Sequence, residues 1–422
     1  MHQEPQVNPS LENMMSACVA AGHPERAYSI IQITGTNGKT STARIIEHLL
    51  LAEGMKTGLY TSPSLVSETE RIRVGGEDIS EDELAHAREA ANKAAASIGL
   101  RLTDFEEMTL AMFIHLRDSA VDFAVVEVGM GGKWDATSAA NPAVAVITAI
   151  GLDHKEFLGD TYEEIADDKS HIIKPGSSVI LGQSLYPPHH EVHIAKIFED
   201  RAAGFSLHPR VIDDEAFKII EASPLHTRFE VRTPHQTYSN LMVAAPDYQA
   251  SNTATAIFAT EAALGRPLNQ ETVYNTIASM TFPGRFEILR DDPFLMFDGS
   301  HNPAAIKILS NLIQELIDTK FNGEKPVIAL GILADKDAEG IIKNLAPIAT
   351  SFITLECPNP RTIPADTLST LIGRFADVPV VDQDLLNMVL NTTGKQPVIV
   401  TGSLSLYPLL QSIRLCVGED AS

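Results

Sequence analysis

Cysteine is scarce in this 422-residue chain: Cys18, Cys357 and Cys416 are its three, odd in number and far apart. That usage fits neither a disulfide framework nor a zinc site, and buried thiols are expected. Basic residues are also in deficit, 32 Lys and Arg against 55 Asp and Glu, for a formal net charge of −23. A nucleic-acid surface needs clustered Lys and Arg, so that class of partner is excluded. No apolar run approaches the roughly 20 residues that span a bilayer. The N-terminal MHQEPQVNPS lacks the basic and apolar regions of a signal peptide, so a cytoplasmic protein with no membrane partner is expected. Low-complexity tracts and a repeat of fixed period are missing too.

What is there is an ordinary globular composition, 44% hydrophobic and 21% charged, in a chain too long for one core. Its most informative stretch is Ser29–Ser41, SIIQITGTNGKTS. Ile30, Ile31 and Ile33 predict a buried strand, and Ile45, Ile46, Leu49 and Leu50 recur at helical spacing from Thr42 until Gly54. Gly35, Thr36, Asn37 and Gly38 therefore join a strand to a helix N-terminus. Such a loop turns backbone N–H groups onto phosphate oxygens, with Lys39 reaching the β/γ-phosphates and a hydroxyl of Thr40 or Ser41 available to Mg²⁺. The general pattern G-x-x-x-x-G-K-[ST] wants glycine where this chain has Ile33, which leaves a plain glycine turn as the alternative. With so acidic a chain, a site for ATP must make its positive potential locally.

Two further strands end in polar residues. Val121–Gly129 closes on Glu127, and Val144–Ile150 runs into Gly151-Leu152-Asp153-His154. Ligands of open α/β sheets sit at the carboxyl ends of strands, where Glu127 could hold Mg²⁺ beside a phosphate. Ser80 and Glu83 predict a capping box for an Ala-rich helix reaching Ile98. His189, His190 and His193 read as a solvated loop, since no ligand set with metal spacing accompanies them. Phe205–Val243 reads as short strands, and a helix is expected over Asn252–Leu264. Phe282-Pro283-Gly284-Arg285 is the expected boundary, giving an ATP-binding domain over 1–283 and a second over 284–422. Beyond it Phe294–Phe297, Val327–Leu330, Ser351–Leu355, Val378–Val381 and Val398–Thr401 are β segments alternating with helices. The fold class is α/β: a P-loop ATPase domain with a mostly parallel sheet, plus a smaller Rossmann-like domain that lacks G-x-G-x-x-G and so has no obvious dinucleotide ligand.

Taken together, GTNGK, Ser62-Pro63, Glu70-Arg71-Ile72-Arg73-Val74, Phe105-Glu106 with Thr109, Glu127 through Gly132 to Asp135-Ala136-Thr137, Gly151-Leu152-Asp153-His154 and Leu158-Gly159-Asp160-Thr161 resemble the Mur ligase superfamily. Within it they resemble folylpolyglutamate synthase/dihydrofolate synthase, as do Pro283 to Glu287, Asp298 to Pro303, Asp335-Lys336-Asp337 and Thr401-Gly402-Ser403. GTNGK is that superfamily's own form of the loop. The resemblance implies an ATP-dependent amide ligase adding L-glutamate to a pteroate or folate through an acyl phosphate. It implies Mg²⁺ on Ser41 and Glu127, a second Mg²⁺ on His154, and Lys169 as a carbamate, where the residues alone allow an exposed helix lysine paired with Asp167 or Asp168. Lys39, Glu127, His154 and Lys169 would be catalytic. Asn252, Arg285 and Asp298 would contact ATP, while Phe105, Glu106, Trp134, Asp135 and Ala136 would hold the pterin part and His301 the glutamate or phosphate. A monomer is implied.

Departures fall mostly near the acceptor: Ser64, Ser138, Asp168-Lys169-Ser170-His171 and Asp247-Tyr248-Gln249 all replace more usual residues. Thr40 occupies a position often glycine, so the metal hydroxyl stays open between Thr40 and Ser41. Alternatives are a cell-wall ligase, which would need a UDP-binding domain that the residues ahead of Gly35 do not supply, and an ATP-binding homologue with a regulatory role or another acceptor.

Overall fold

The structure, a computed structural model, describes residues 10–185, 194–380 and 396–410. The three clustered histidines, Cys416 and Val381 lie outside the described residues. The chain divides into two compact units, one of residues up to Glu221 with 228–243 and 248–280, the other of 281 onward with 222–227 and 244–247.

In the first unit, β1 (Ser29–Thr34), β2 (Thr57–Tyr60), β3 (Ile72–Val74), β4 (Glu77–Asp78), β5 (Phe123–Glu127), β6 (Val144–Ile147), β7 (Ser178–Leu181) and β8 (Arg210–Val211) form one sheet of order β4-β3-β2-β5-β1-β6-β7-β8. The pairs from β2 through β8 are parallel, and β3 and β4 add an antiparallel edge. A sheet covered on both faces needs strands apolar on both sides, which is why β1, β5 and β6 read as runs rather than alternations. Helices α1 (Glu12–Ala20), α2 (Lys39–Ala52), α3 (Glu81–Ser97), α4 (Asp104–Asp118), α5 (Lys155–Leu158), α6 (Tyr162–Ser170) and α7 (Ala195–Gly204) fill the connections. α1, α3 and α4 bury Met14, Leu84, Met108 and Phe113 in one core with Tyr60, Ala124 and Val126. α6 and α7 bury Ile165 and Phe198 in another with Ala145, Ile147 and Val179. Capping boxes at Ser80/Glu83, Thr103/Glu106 and Thr161/Glu164 start α3, α4 and α6, each satisfying amides the first turn leaves open.

A separate sheet of β9 (Phe217–Ala222), β10 (Thr227–Arg232) and β11 (Thr237–Val243) precedes α8 (Asp247–Leu264) and α9 (Gln270–Ala278). The sequence expectation for α8 began at Asn252; the helix starts at Asp247, because the polar turn Asp247-Tyr248-Gln249 is already helical. The second unit carries β12 (Glu287–Arg290), β13 (Leu295–Asp298), α10 (Pro303–Thr319), β14 (Val327–Leu330), α11 (Ala338–Leu345), β15 (Ser351–Thr354), α12 (Ala365–Phe375) and β16 (Val398–Thr401). Its sheet order is β12-β13-β16-β14-β15, parallel except for β12. β12 is a half-exposed edge without a buried run, so hydrophobicity does not announce it. Val380 makes only a bridge to Phe352.

One buried ion pair ties α2 to the sheet edge. Glu47 is fully buried, 2.7 Å from Arg73 Nη1, and Arg73 Nε lies 3.0 Å from Asp78. Desolvation pushes the Glu47 carboxyl up to about 7 from an ordinary 4.5, against the pull of Arg73 and Arg44. A carboxyl raised in the fold contributes stability that is full below the ordinary value and is lost as pH rises through about 7. Glu47→Gln, which mimics the protonated form, should therefore melt level with the parent near the ordinary carboxylate range and above it on the alkaline side of neutrality. The gap is on the order of 3 kcal/mol, read by circular-dichroism melts across pH.

Candidate active site

Ile33, the residue that breaks the general loop pattern, is still strand: it pairs in register with Glu127 on β5 and with Val146 on β6. The turn is thus confined to Gly35–Gly38, and two glycines make it possible. Gly35 has φ +150°, and a Cβ there would lie 2.0 Å from Thr148 Oγ1; Gly38 has φ +86°, and a Cβ would meet Asn252 Oδ1 at 2.5 Å. Thr148 Oγ1 donates to the Asn37 carbonyl at 2.6 Å, and Thr36 Oγ1 both donates to the Gly151 carbonyl and accepts from the Gly151 amide. The loop is held from β6 and from the segment that leads to His154.

Lys39 opens α2 and its Nζ lies 2.8 Å from the Gly35 carbonyl. Lys169 is buried, not the exposed helix lysine that its acidic neighbours permit, and its Nζ approaches the same carbonyl at 3.3 Å. Burial first, then the Lys39 charge, lowers the Lys169 amine to about 7. Thr40 Oγ1 donates to both carboxylate oxygens of Glu127, at 3.0 and 2.9 Å, and the Ser62 amide approaches one of them at 3.4 Å. Ser41 faces elsewhere: its hydroxyl accepts from Gln249 Nε2 at 3.2 Å, and Gln249 Oε1 accepts from Asn252. His154 has φ +50° at the start of α5, exposed, with Asp153 3.9 Å away.

Does this set suit Mg²⁺? Among the described residues no three His, Cys, Asp or Glu cluster as a metal cage. Mg²⁺ is usually held by one or two carboxylates together with substrate phosphates and water, and a buried Glu127 beside a hydroxyl at the phosphate loop matches that chemistry.

Two residues beyond Glu127, the Phe105 ring tip leans on Gly129, where a Cβ would sit 2.5 Å away. Arg71 stacks over both Phe105 and Tyr60 and donates to the Tyr60 hydroxyl at 2.8 Å. Asp135 accepts from the Met130 and Thr137 amides, with burial pushing its carboxyl up. Ala136 is buried beside it, whereas Trp134 is 46% exposed under the Lys133 ammonium. Glu106 differs in kind: its carboxylate closes the capping box of α4 on Thr103. In the second unit Asp298 accepts from the Phe286 and Ser300 amides, Arg285 lies against Gly299, and His301 Nδ1 contacts the Gly299 carbonyl. Thr148 and Gln249 carry no motif signal. Their one clue is position, Thr148 at a strand's carboxyl end and Gln249 one helical turn before Asn252.

A glycine turn between parallel strand and helix, two lysines on one carbonyl and a buried strand-end glutamate define a nucleotide-binding protein of the P-loop class. The chain matches the Mur ligase middle domain over residues 33–260. It is 32% identical to a dihydrofolate synthase/folylpolyglutamate synthase of Mycobacterium tuberculosis, covering 88% of this chain and 79% of that one. It is 34% identical to a folylpolyglutamate synthase of Lacticaseibacillus casei, covering 92% and 90%. Its fold superposes with a TM-score of 0.85 on the M. tuberculosis folylpolyglutamate synthase complexed with ADP and AMPPCP, at 28% identity over 96% of this chain and 95% of that one. With Escherichia coli FolC in complex with DHPP and ADP the TM-score is 0.83, at 26% identity over 100% and 96%. The chain belongs to the folylpolyglutamate synthase/dihydrofolate synthase family of the Mur ligases.

Gly38→Ala tests the loop. A left-handed φ disfavours alanine by about 1–2 kcal/mol, before the clash with Asn252 is counted. Affinity for a non-hydrolysable ATP analogue, measured by calorimetry, should fall at least roughly ten-fold.

Proposed function

We propose that this chain is an ATP-dependent carboxylate–amine ligase that adds L-glutamate to dihydropteroate, to reduced folyl(poly)glutamates, or to both, releasing ADP and phosphate. The observation that carries it is the convergence of Lys39 and Lys169 on Gly35, next to the Thr40–Glu127 contact, in a member of this family. ATP phosphorylates the acceptor carboxylate, and the glutamate amine attacks the acyl phosphate. No enzyme nucleophile is required, so the residues act by positioning and by offsetting charge. The Gly35–Ser41 loop with Asn252, Arg285 and Asp298 binds the nucleotide, and Lys39 draws the β/γ-phosphates. Phe105, Gly129, Trp134, Asp135 and Ala136 form the acceptor side, and His301 serves glutamate or phosphate.

Glu127 and His154 are the ligands we assign to two Mg²⁺ ions, with Thr40 the better-placed hydroxyl because it already meets Glu127. When bound, the ions would neutralise charge on the phosphates. A lysine amine lowered to about 7 is largely neutral above that pH and so able to take up CO₂, which supports a carbamate on Lys169. We assign residues 1–283 to the ATP-binding domain and 284–422 to the second, and take the protein to act as a cytoplasmic monomer. Among the described residues no helix is long and apolar enough to cross a membrane.

ADP release with Mg-ATP and glutamate, run with dihydropteroate, with tetrahydrofolate and without acceptor, tests the reading. Acceptor-dependent release is expected; ATP binding with silence on every acceptor would replace it with the regulatory alternative. Lys39→Ala should lose roughly a thousand-fold in turnover, and an unchanged rate would refute the loop assignment. For Lys169, ¹³C-bicarbonate should give a carbamate carbonyl resonance that strengthens as pH rises through neutrality and is absent from Lys169→Met.

A further inference from the structure

The segment between β5 and Ala136 is pinned from three sides. Thr34 Oγ1 on β1 donates to the Gly131 carbonyl at 2.6 Å, Ser138 Oγ donates to the Gly132 carbonyl at 2.6 Å, and Asp135 takes the Met130 amide at 2.9 Å. The amides of Gly132 and Lys133 go to one acceptor, Asp168 Oδ1 on α6, at 2.8 and 3.3 Å. Two consecutive N–H groups on one carboxylate oxygen make a small anion nest, and hydrogen bonds to an ionised acceptor are the stronger kind. The glycines leave room for it: at Gly131, with φ +68°, a Cβ would lie 2.2 Å from Asp168 Oδ1, and at Gly132 one would lie 2.8 Å from the Lys169 carbonyl. Directly after this anchor come Lys133 and Trp134, whose ring the Lys133 ammonium covers at 5.1 Å.

We infer that Asp168 is a positioning residue for the acceptor: by holding the Gly132 and Lys133 amides it fixes the loop that presents Trp134 and Asp135, and so sets acceptor affinity without touching acceptor or nucleotide. The inference rests on the assignment of this loop to the acceptor side. Asp168 is also the neighbour of Lys169, so its hydrogen bonds have to be separated from its charge.

Asp168→Asn does so, because the amide oxygen still accepts from both N–H groups. Trp134, the only tryptophan in the chain, reports on the loop without any substrate. Asp168→Ala should raise acceptor KM roughly ten-fold with ATP KM within about two-fold, and should make Trp134 fluorescence more accessible to acrylamide. Asp168→Asn should stay near the parent in both. The inference is overturned if the asparagine variant is as impaired as the alanine one, if alanine leaves acceptor KM and quenching unchanged, or if ATP KM rises in parallel with acceptor KM. Should the alanine variant not fold, Asp168→Ser, whose hydroxyl replaces the carboxyl group and stops short of the Oδ1 position, takes its place with the same expectations. A parent enzyme with no acceptor-dependent turnover would remove the functional reading, while quenching alone would still decide whether Asp168 orders the loop.

Discussion

Two ammonium groups, those of Lys39 and Lys169, converge on the carbonyl of Gly35, at 2.8 and 3.3 Å. One is buried, and like charges this close disfavour each other's ionisation, which together with desolvation lowers the Lys169 amine. In a chain of net charge −23 the arrangement concentrates positive potential at one point. A phosphate relieves the repulsion, and so does conversion of one amine to an anion. Everything nearby depends on the Gly35 carbonyl being presented this way, which requires a residue without Cβ packed against Thr148.

The parallel sheet supplies the presentation. β1, β5 and β6 end side by side, so Thr34, Glu127 and Ile147 are neighbours and the turns that follow them are forced together. The polar groups there are held by one another: Thr148 by the Asn37 carbonyl, Thr36 by Gly151, Thr40 by Glu127. Apolar strands buried on both faces provide the rigid frame, and the polar chemistry is confined to their carboxyl ends.

Much of this was legible in the sequence, because it is local. The apolar run, the glycines and Lys39 follow one another within a dozen residues, and the Ser80/Glu83 capping box spans a single turn. What could not be read is what the fold brings together from afar. Gln249 reaches Ser41 from α8, over two hundred residues away, so the sequence left Thr40 and Ser41 equivalent although only Thr40 meets Glu127. Lys169 directly follows two aspartates and looks like a surface lysine, yet its helix face is the buried one. Glu106 has a local cue that was available, since Thr103 three residues earlier marks it as the far half of a capping box.

α6 links the two sides of the site through adjacent residues. Lys169 reaches the nucleotide loop at Gly35, and Asp168 the glycine loop at Gly132 and Lys133. The glycine loop has no side chain where α6 approaches, so that fit depends on Gly131 and Gly132, while glycine at 35 makes room for Thr148 on the nucleotide side. A shift of this one helical turn would move both contacts at once, because a rigid helix does not let neighbouring residues relax independently. The geometry therefore couples the position of the Lys169 amine to that of the Gly132–Lys133 loop, which we assign to the acceptor side. A ligase gains from such coupling, since transfer of a phosphoryl group to a carboxylate needs both reactants held at reacting distance in the same frame.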